Sequence, residues 1–336
     1  MAVKNKVVRC GIVGYGGAFH MGRHHAEGIN DAHGMQTVAV CDVDAKRLKA
    51  AERELPGVAT FTRIEQLLRK GDVELVAIVT PHSTHAPLAL KCLAAGKHVV
   101  IEKPFCITTR EATRMIQAAN NNKAVLTVYH NRRHDGDFMA LMDILRAGII
   151  GEVFHVEAFM GGYHKPRRWW RSDKRISGGA FYDWGAHLID WVLHVCPYKI
   201  ASVSGYFHKL VWKQSTNEDQ VEAKIRFANG ATADVQMSSI AAASKPRWHI
   251  LGTKGAISSG PERNFTVTTI VRGRRAQMTW PYKDSTWHEY YPNLADHLLR
   301  GKPLEVTAES ARRVIMVMDL AEQSSRKRRE LRAPYE

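Results

Sequence analysis

Five short apolar runs set the rhythm of the first 130 residues: 7–13, 36–41, 75–79, 98–101 and 125–129. They are continuous rather than alternating, as strands are when both faces of their sheet are covered. Between them the apolar spacing turns helical, over 44–55, 84–95 and 109–120. The second of these places Thr84 as an N-cap, Pro87 in the first turn and Gly96 where a C-cap belongs. Strands alternating with helices of this length predict an α/β fold with a parallel, doubly wound sheet. After His130 the rhythm changes. A helix over 137–147 leads to a strand over 153–159, a basic loop and a helix over 180–195. Strand-like stretches follow from 200 to about 280, with turn signals such as Ala228-Asn229-Gly230, and helices over 293–300 and 309–327 come last. The pattern predicts two domains, a doubly wound unit over 1–130 and an α+β unit over 131–336 with a largely antiparallel sheet.

The length of 336 residues suits two domains, and 45% hydrophobic with 24% charged residues is the balance of a soluble globular chain. The first apolar run starts at Val7, which leaves no room for a signal peptide, and no run approaches the ~20 residues of a membrane helix. Five cysteines, Cys10, Cys41, Cys92, Cys106 and Cys196, are odd in number and never in C-x-x-C spacing. Reduced, buried thiols in a cytoplasmic protein are the expectation. The formal net charge of +15 changes the picture more. Basic chains bind nucleic acid or anionic substrates, or only keep a soluble surface. Much of the charge lies in 165–175 and in Arg326-Lys327-Arg328-Arg329 with Arg332. Neither stretch has zinc ligands or an aromatic RNA-binding strand, which disfavours a nucleic-acid partner.

Chemistry enters at Gly14-Tyr15-Gly16-Gly17-Ala18-Phe19, which follows the first strand and opens a helix. Glycine at 14 permits a tight turn, and glycine at 16 lets the backbone approach a pyrophosphate held at the helix N-terminus. Phe19 stands where a third fingerprint glycine would be. Asp42 follows the second strand, 28 residues beyond Gly14. An acid there accepts the hydroxyls of an adenosine ribose and repels a 2′-phosphate, although a loop aspartate capping the next helix would look the same. The order of strand, glycine turn, helix, strand and acid favours a Rossmann dinucleotide site for NAD. Arg47 leaves NADP open.

Thr80, Pro81, His82 and His85 end the next major strand, where ligands of open parallel sheets sit. Two histidines without a third ligand at fitting spacing do not make a zinc site, so no metal is expected and the four residues read as cofactor-lining or loop residues. Glu102-Lys103-Pro104 ends the apolar run 98–101 with a charged pair, either chemistry at the cofactor edge or a surface salt bridge. A Gly-x-Gly turn, a Thr-Pro and a Glu-Lys-Pro after successive strands resemble the glucose–fructose oxidoreductase / inositol dehydrogenase (Gfo/Idh/MocA) family. The segment 177–187, ending Asp183-Trp184-Gly185-Ala186-His187, resembles that family's glycine-rich Asp-x-x-x-His catalytic segment. Asn131-Arg132-Arg133 and Trp170-Arg171 extend the resemblance over nearly the whole chain.

Within a helix over 180–195, Asp183 and His187 fall at i and i+4 and share a face, which Asp190 and His194 extend. Leu188, Trp191, Val192 and Val195 form its buried side, and a solvated polar face is the competing account. Oxidising an alcohol removes a hydride from carbon and a proton from oxygen, so the protein must supply a base. His187 suits that role, Lys103 would stabilise charge on the reacting oxygen, and Asp183 would orient His187 or bind a neighbouring hydroxyl. The resemblance implies the same division, an NAD(P)-dependent sugar or polyol dehydrogenase, and homodimers or homotetramers built through the second sheet. It also implies a cis Lys103–Pro104 bond and assigns Asn131 and Glu102 to the cofactor side. Two other readings stay open: an NAD-using glycosidase acting by transient oxidation and elimination, and a non-catalytic nucleotide- or nucleic-acid-binding protein. The loop 164–175 carries six Lys or Arg against one Asp. Arg132, Tyr163, Arg167, Trp169, Trp170 and Arg171 are its substrate-side candidates and neighbours. Lys165, Arg167 and Arg168 suit an acidic sugar, with Trp169 stacking on its ring, although charge runs usually face water.

Overall fold

A computed structural model describes residues 6–16 and 19–336. In chain order it begins β1 (Val8–Val13), α1 (Met21–Asp31), β2 (Met35–Cys41), α2 (Ala45–Glu54), β3 (Ala59–Phe61) and α3 (Ile64–Lys70). It continues β4 (Leu75–Ile78), α4 (His85–Ala94), β5 (His98–Ile101), α5 (Thr109–Asn121), β6 (Leu126–Val128), α6 (Gly136–Arg146) and β7 (Val153–Gly161). Next are α7 (Lys174–Ser177), α8 (Gly185–Val195), β8 (Ile200–His208), β9 (Gln220–Phe227), β10 (Thr232–Ser238) and β11 (Trp248–Gly252). Then come β12 (Gly255–Ser259), β13 (Asn264–Val271), β14 (Arg274–Pro281), α9 (Tyr290–Arg300), α10 (Ala308–Lys327) and β15 (Leu331–Arg332). The chain divides into two compact units. The first runs to His130 and takes in His288–Arg312; the second holds Asn131–Trp287 and Arg313–Glu336.

In the first unit β1 to β6 form a parallel sheet in the order β3-β2-β1-β4-β5-β6. Chain order reverses between β1 and β4, the switch point of a doubly wound sheet. The residues of β4 are buried throughout, as the unbroken apolar run predicts. Asp44 caps α2 by accepting from the Lys46 amide, and Thr108 with Glu111 closes a capping box on α5. β3 and α3 were not anticipated from the sequence. β3 is three residues long and half exposed at the sheet edge, and α3 spans seven, too short for either to show a clear period.

The segment 288–312 joins the first unit, whereas the sequence division at residue 130 assigns it to the second. The physical reason lies in two aromatic rings. Tyr290 and Tyr291 of α9 pack on Tyr129 at centroid distances of 4.7 and 5.9 Å, and the Tyr290 hydroxyl reaches Thr127.

The second unit is built on a nine-stranded sheet in the order β14-β13-β12-β11-β7-β10-β9-β8-β15. β7 and β10 pair parallel; the other pairs are antiparallel. Gly230 turns β9 into β10, as the Asn-Gly signal predicts. The core gathers around α8, where Trp191 lies 5.7 Å from Phe138 and 5.8 Å from Trp248. All five cysteines are buried and unbonded to one another, and burial pushes the Cys10, Cys92 and Cys196 thiols up to about 12. Among the described residues no helix is long and apolar enough to cross a membrane.

Candidate active site

At the carboxyl edge of the first sheet, Gly14 leaves β1 with φ +96°, and a Cβ there would sit 2.2 Å from the Val79 carbonyl oxygen. Only glycine fits that approach of β1 to the end of β4. Gly17 and Ala18 lie outside the described residues. Phe19 is exposed, with φ 62°, a left-handed conformation that disfavours its side chain. The packing glycine of the fingerprint is Gly22 instead, within α1: a Cβ there would meet the Gly14 carbonyl at 2.8 Å and the Tyr15 backbone at 2.9 Å. Close approach of helix to strand is what the third glycine provides, so the turn is three residues longer than the sequence reading assumed.

Asp42 is buried at the end of β2, where its carboxylate accepts from the Tyr15 amide at 2.7 Å and the Asp44 amide at 2.9 Å. The Arg47 guanidinium stands 3.8 Å from Asp42 and 3.5 Å from Asp44, and its tip borders Gly16. Tyr15 donates to Glu54, and burial together with that carboxylate pushes its phenol well up.

Thr80 follows β4, its hydroxyl 2.6 Å from that of Thr84, with Pro81 opening a short 3-10 turn that holds His82. His85 is fully buried, its Nδ1 2.8 Å from the Pro104 carbonyl and its Nε2 2.8 Å from the Thr80 carbonyl. Burial pushes its pKa down, more than the two carbonyls push it up. The neutral ring has one N–H and donates to one of them at a time. His85 therefore sits between the Thr80 turn and the Lys103 turn, in line with the loop alternative of its sequence reading. The Lys103–Pro104 peptide is cis, as the resemblance implied. Glu102 accepts from the Lys103 amide at 2.9 Å and bonds His25 at 3.1 Å. Burial would raise its carboxyl; the His25 hydrogen bond, with the nearby Lys103 and His85, holds it below the ordinary range. It is not a surface salt bridge.

In the second unit α8 begins at Gly185, and residues 180–182 form a separate 3-10 turn. Asp183 thus lies before the helix and shares no helical face with His187. Its half-exposed carboxylate accepts from Arg171 at 3.0 Å. His187 sits in the first turn of α8, 3% exposed, between Trp184 at 5.5 Å and Trp191 at 6.2 Å. Of the predicted polar stripe, His187 and Asp190 are buried, and Asp190 takes a two-pronged contact from Arg133 at 2.8 and 2.6 Å. Trp191 donates to the Arg132 carbonyl at 2.9 Å. One helix therefore presents His187 and fixes the 3-10 turn Asn131–His134 that carries Asn131 and Arg132.

Arg132 lies over Trp184 at 4.5 Å and Trp287 at 5.3 Å, and pairs with Asp135 at 3.0 Å. Such stacking fixes a guanidinium by its faces while its edge remains a donor. Arg171 lies over Trp169 and Trp170 in the same way, at 5.4 and 5.2 Å. Arg167 and Arg168 are exposed, and Tyr163, also exposed, meets Trp212 edge-on at 5.5 Å. Sequence reasoning missed Trp287, Gly22, His25 and Tyr291. The signal for His25 was present: Gly22, His25, Ala26 and Ile29 form the buried stripe of α1, and a buried histidine needs partners.

Residues 8–130 match the model of an oxidoreductase family with an NAD-binding Rossmann fold, and 138–258 match the GFO/IDH/MocA C-terminal domain. The chain belongs to the Gfo/Idh/MocA family. It is similar over its full length to scyllo-inositol 2-dehydrogenase (NADP(+)) of Bacillus subtilis, 26% identical with 97% of this chain and 96% of that protein covered. The NAD(+) scyllo-inositol 2-dehydrogenase of the same organism is 27% identical over 89% of each chain. A solved NAD-binding protein from Listeria innocua superposes with a TM-score of 0.85 at 27% identity, covering 98% and 97% of the two chains.

This Gfo/Idh/MocA protein is an NAD(P)-dependent oxidoreductase, and its Rossmann domain fits the dinucleotide on its own geometry. Gly14 opens the turn at the β1 carboxyl end, Gly22 brings α1 against it, and Asp42 stands at the β2 end. That is where a pyrophosphate and an adenosine ribose bind in such a fold.

Proposed function

We propose that the protein is a dehydrogenase for a ring polyol or sugar, with His187 as the acid/base and Lys103 as the group that steadies the reacting oxygen. Bound NAD(P) supplies the two-electron hydride chemistry. The observation that carries the reading is Lys103 at the carboxyl end of β5, one strand from the switch point, with its backbone held by a buried ionised Glu102. A buried carboxylate is maintained only with hydrogen-bond partners, which argues for a built site rather than a surface ion pair. Lys103, a cation, donates to the hydroxyl oxygen and stabilises the negative charge that grows there. His187 takes the hydroxyl proton in oxidation and returns it in reduction; its cage of Trp184 and Trp191 rings excludes water from one side. Asp183, tethered by Arg171, accepts a neighbouring hydroxyl.

Trp169, Trp170, Trp184 and Trp287 offer flat faces suited to the C–H faces of a ring substrate, and the similar proteins named for inositol favour the same class. Exposed Arg167 and Arg168 would read a carboxylate on an acidic sugar. Asp42 favours NAD, since a 2′-phosphate would meet a buried carboxylate at short range. The test is a panel of inositols, neutral sugars and uronates with NAD and NADP, followed by nicotinamide absorbance. Net reduced cofactor with a ring polyol or sugar is expected. Turnover without net reduction would instead indicate transient oxidation and elimination.

A further inference from the structure

We propose that Tyr291 and His25 form a buried positioning device for Lys103, acting through Glu102, which makes the segment 288–312 part of the working site. The inference deepens the reading above and rests on its assignment of Lys103 to the reaction.

The chain of contacts is continuous. The Tyr291 hydroxyl lies 2.5 Å from His25 Nδ1, His25 Nε2 lies 3.1 Å from Glu102 Oε1, and Glu102 Oε2 accepts from the Lys103 amide at 2.9 Å. Its protons follow from what each group is able to do. An ionised carboxylate only accepts, so His25 donates from Nε2, and its Nδ1 shares the remaining hydrogen bond with the Tyr291 hydroxyl. Tyr291, whose phenol burial pushes far above its ordinary range, keeps its proton and bonds that nitrogen. Each group in the chain therefore has a role that matches its neighbour.

Packing alone does not account for this arrangement. His25 and Tyr291 are 0% and 2% exposed, and an apolar pair of similar size would fill the space but leave the buried Glu102 carboxylate without its Nε2–H donor. Space has also been made for the tyrosine, since a Cβ on Gly28 of α1 would stand 2.8 Å from the Tyr291 ring. The polar chain ends at the residue where β5 hands over to Lys103. On the far side, the buried His85 ring lies 2.8 Å from the Pro104 carbonyl. The backbone of Lys103 is thus pinned before and after, which sets where its side chain starts. Because a displacement of ~1 Å at a reacting group costs up to about a hundredfold in rate, a device of this kind has a use that a core contact lacks.

Tyr291→Phe removes one oxygen and keeps the ring. On the best ring-polyol substrate its kcat should fall roughly tenfold, while KM and the cofactor Kd measured by calorimetry stay within about twofold. Hydrogen exchange in the cofactor-free protein should quicken in the peptide 98–108 beyond the uniform increase that the lower global stability brings. His25→Leu should lose more, roughly a hundredfold, and His25→Gln, whose amide can donate to Glu102, should recover about half of that loss on a logarithmic scale. Lys103→Met is measured alongside. If Lys103→Met is inactive but Tyr291→Phe keeps wild-type kcat and wild-type exchange, the positioning chain is overturned and the assignment of Lys103 stands. If Lys103→Met turns over normally, the assignment itself falls. A Tyr291→Phe protein that loses melting temperature and cofactor affinity in place of kcat would reduce the contact to packing and overturn the proposal. Should His25→Leu fail to fold, Tyr291→Phe and His25→Gln still decide the matter.

Discussion

The two candidate reacting groups are supported by different physics. Lys103 stands at the end of a buried hydrogen-bond chain, Tyr291 to His25 to Glu102, in which each contact is directional and only one member is charged by necessity. His187 is held by aromatic rings, Trp184 edge-on and Trp191 stacked, on a helix anchored by the buried ion pair Asp190–Arg133. Directional bonds set an angle; packed rings and a buried ion pair set a position and seal it from water. The difference matches the tasks proposed, since an oxygen-steadying cation must point, whereas an acid/base must be kept in one protonation equilibrium with its substrate.

The comparison breaks first at the ion pair. Arg133→Ala leaves Asp190, 3% exposed, without its guanidinium, and should destabilise the protein by about 3–5 kcal/mol in a urea titration. Tyr291→Phe, which removes a neutral hydrogen bond in the other region, should lose only ~1–2 kcal/mol in the same experiment. Equal losses would mean that the two supports are energetically alike.

Next come the reacting groups. Lys103→Met and His187→Ala should each lower kcat by roughly a hundredfold or more, ~2.7 kcal/mol, with much smaller changes in NAD affinity. If both serve one transition state, the double variant is less than additive. A His187→Ala enzyme with wild-type turnover would remove that residue from the mechanism.

The strand ends of the first region could be read from sequence, because continuous apolar runs locate strand ends well. Asp42, Lys103 and the glycine turn lie at or just past strand ends, as that reading placed them. What could not be read was depth. His85 stands beside Thr80 in the chain, yet the sequence does not show that its ring turns inward to Pro104. Tyr291 is more than 260 positions from His25, and no local period links them. In the second region the helix-face argument failed because Gly185, rather than Ala180, starts α8, and helix starts without a side-chain cap leave little trace. For Asp190 the sequence left a solvated face open for a related reason: a stripe of i, i+4 polar residues has the same pattern whether it faces water or a buried arginine.

A smaller effect tests the cofactor end of the first region. The wild type should prefer NAD over NADP by tenfold or more, about 1.4 kcal/mol, and Asp42→Ser should narrow the ratio of kcat/KM values. Equal efficiency in the wild type would contradict the role given to Asp42.

The smallest effect concerns the exposed loop of the second region. If Arg167 and Arg168 read an anion, the double alanine variant should lose severalfold more efficiency on an acidic sugar than on its neutral counterpart, and added salt should do the same. Equal losses on both substrates would make the pair a solvated surface.

Hydride transfer itself is the central claim, and isotopic labelling addresses it directly. A ring polyol carrying deuterium on the reacting carbinol carbon is turned over with NAD, and the reduced cofactor is examined by mass spectrometry. One deuterium per reduced cofactor, in step with ketone formed and lost in Lys103→Met, is the predicted result. Unlabelled cofactor, or label returned to the product with no reduced cofactor accumulating, would contradict a dehydrogenase.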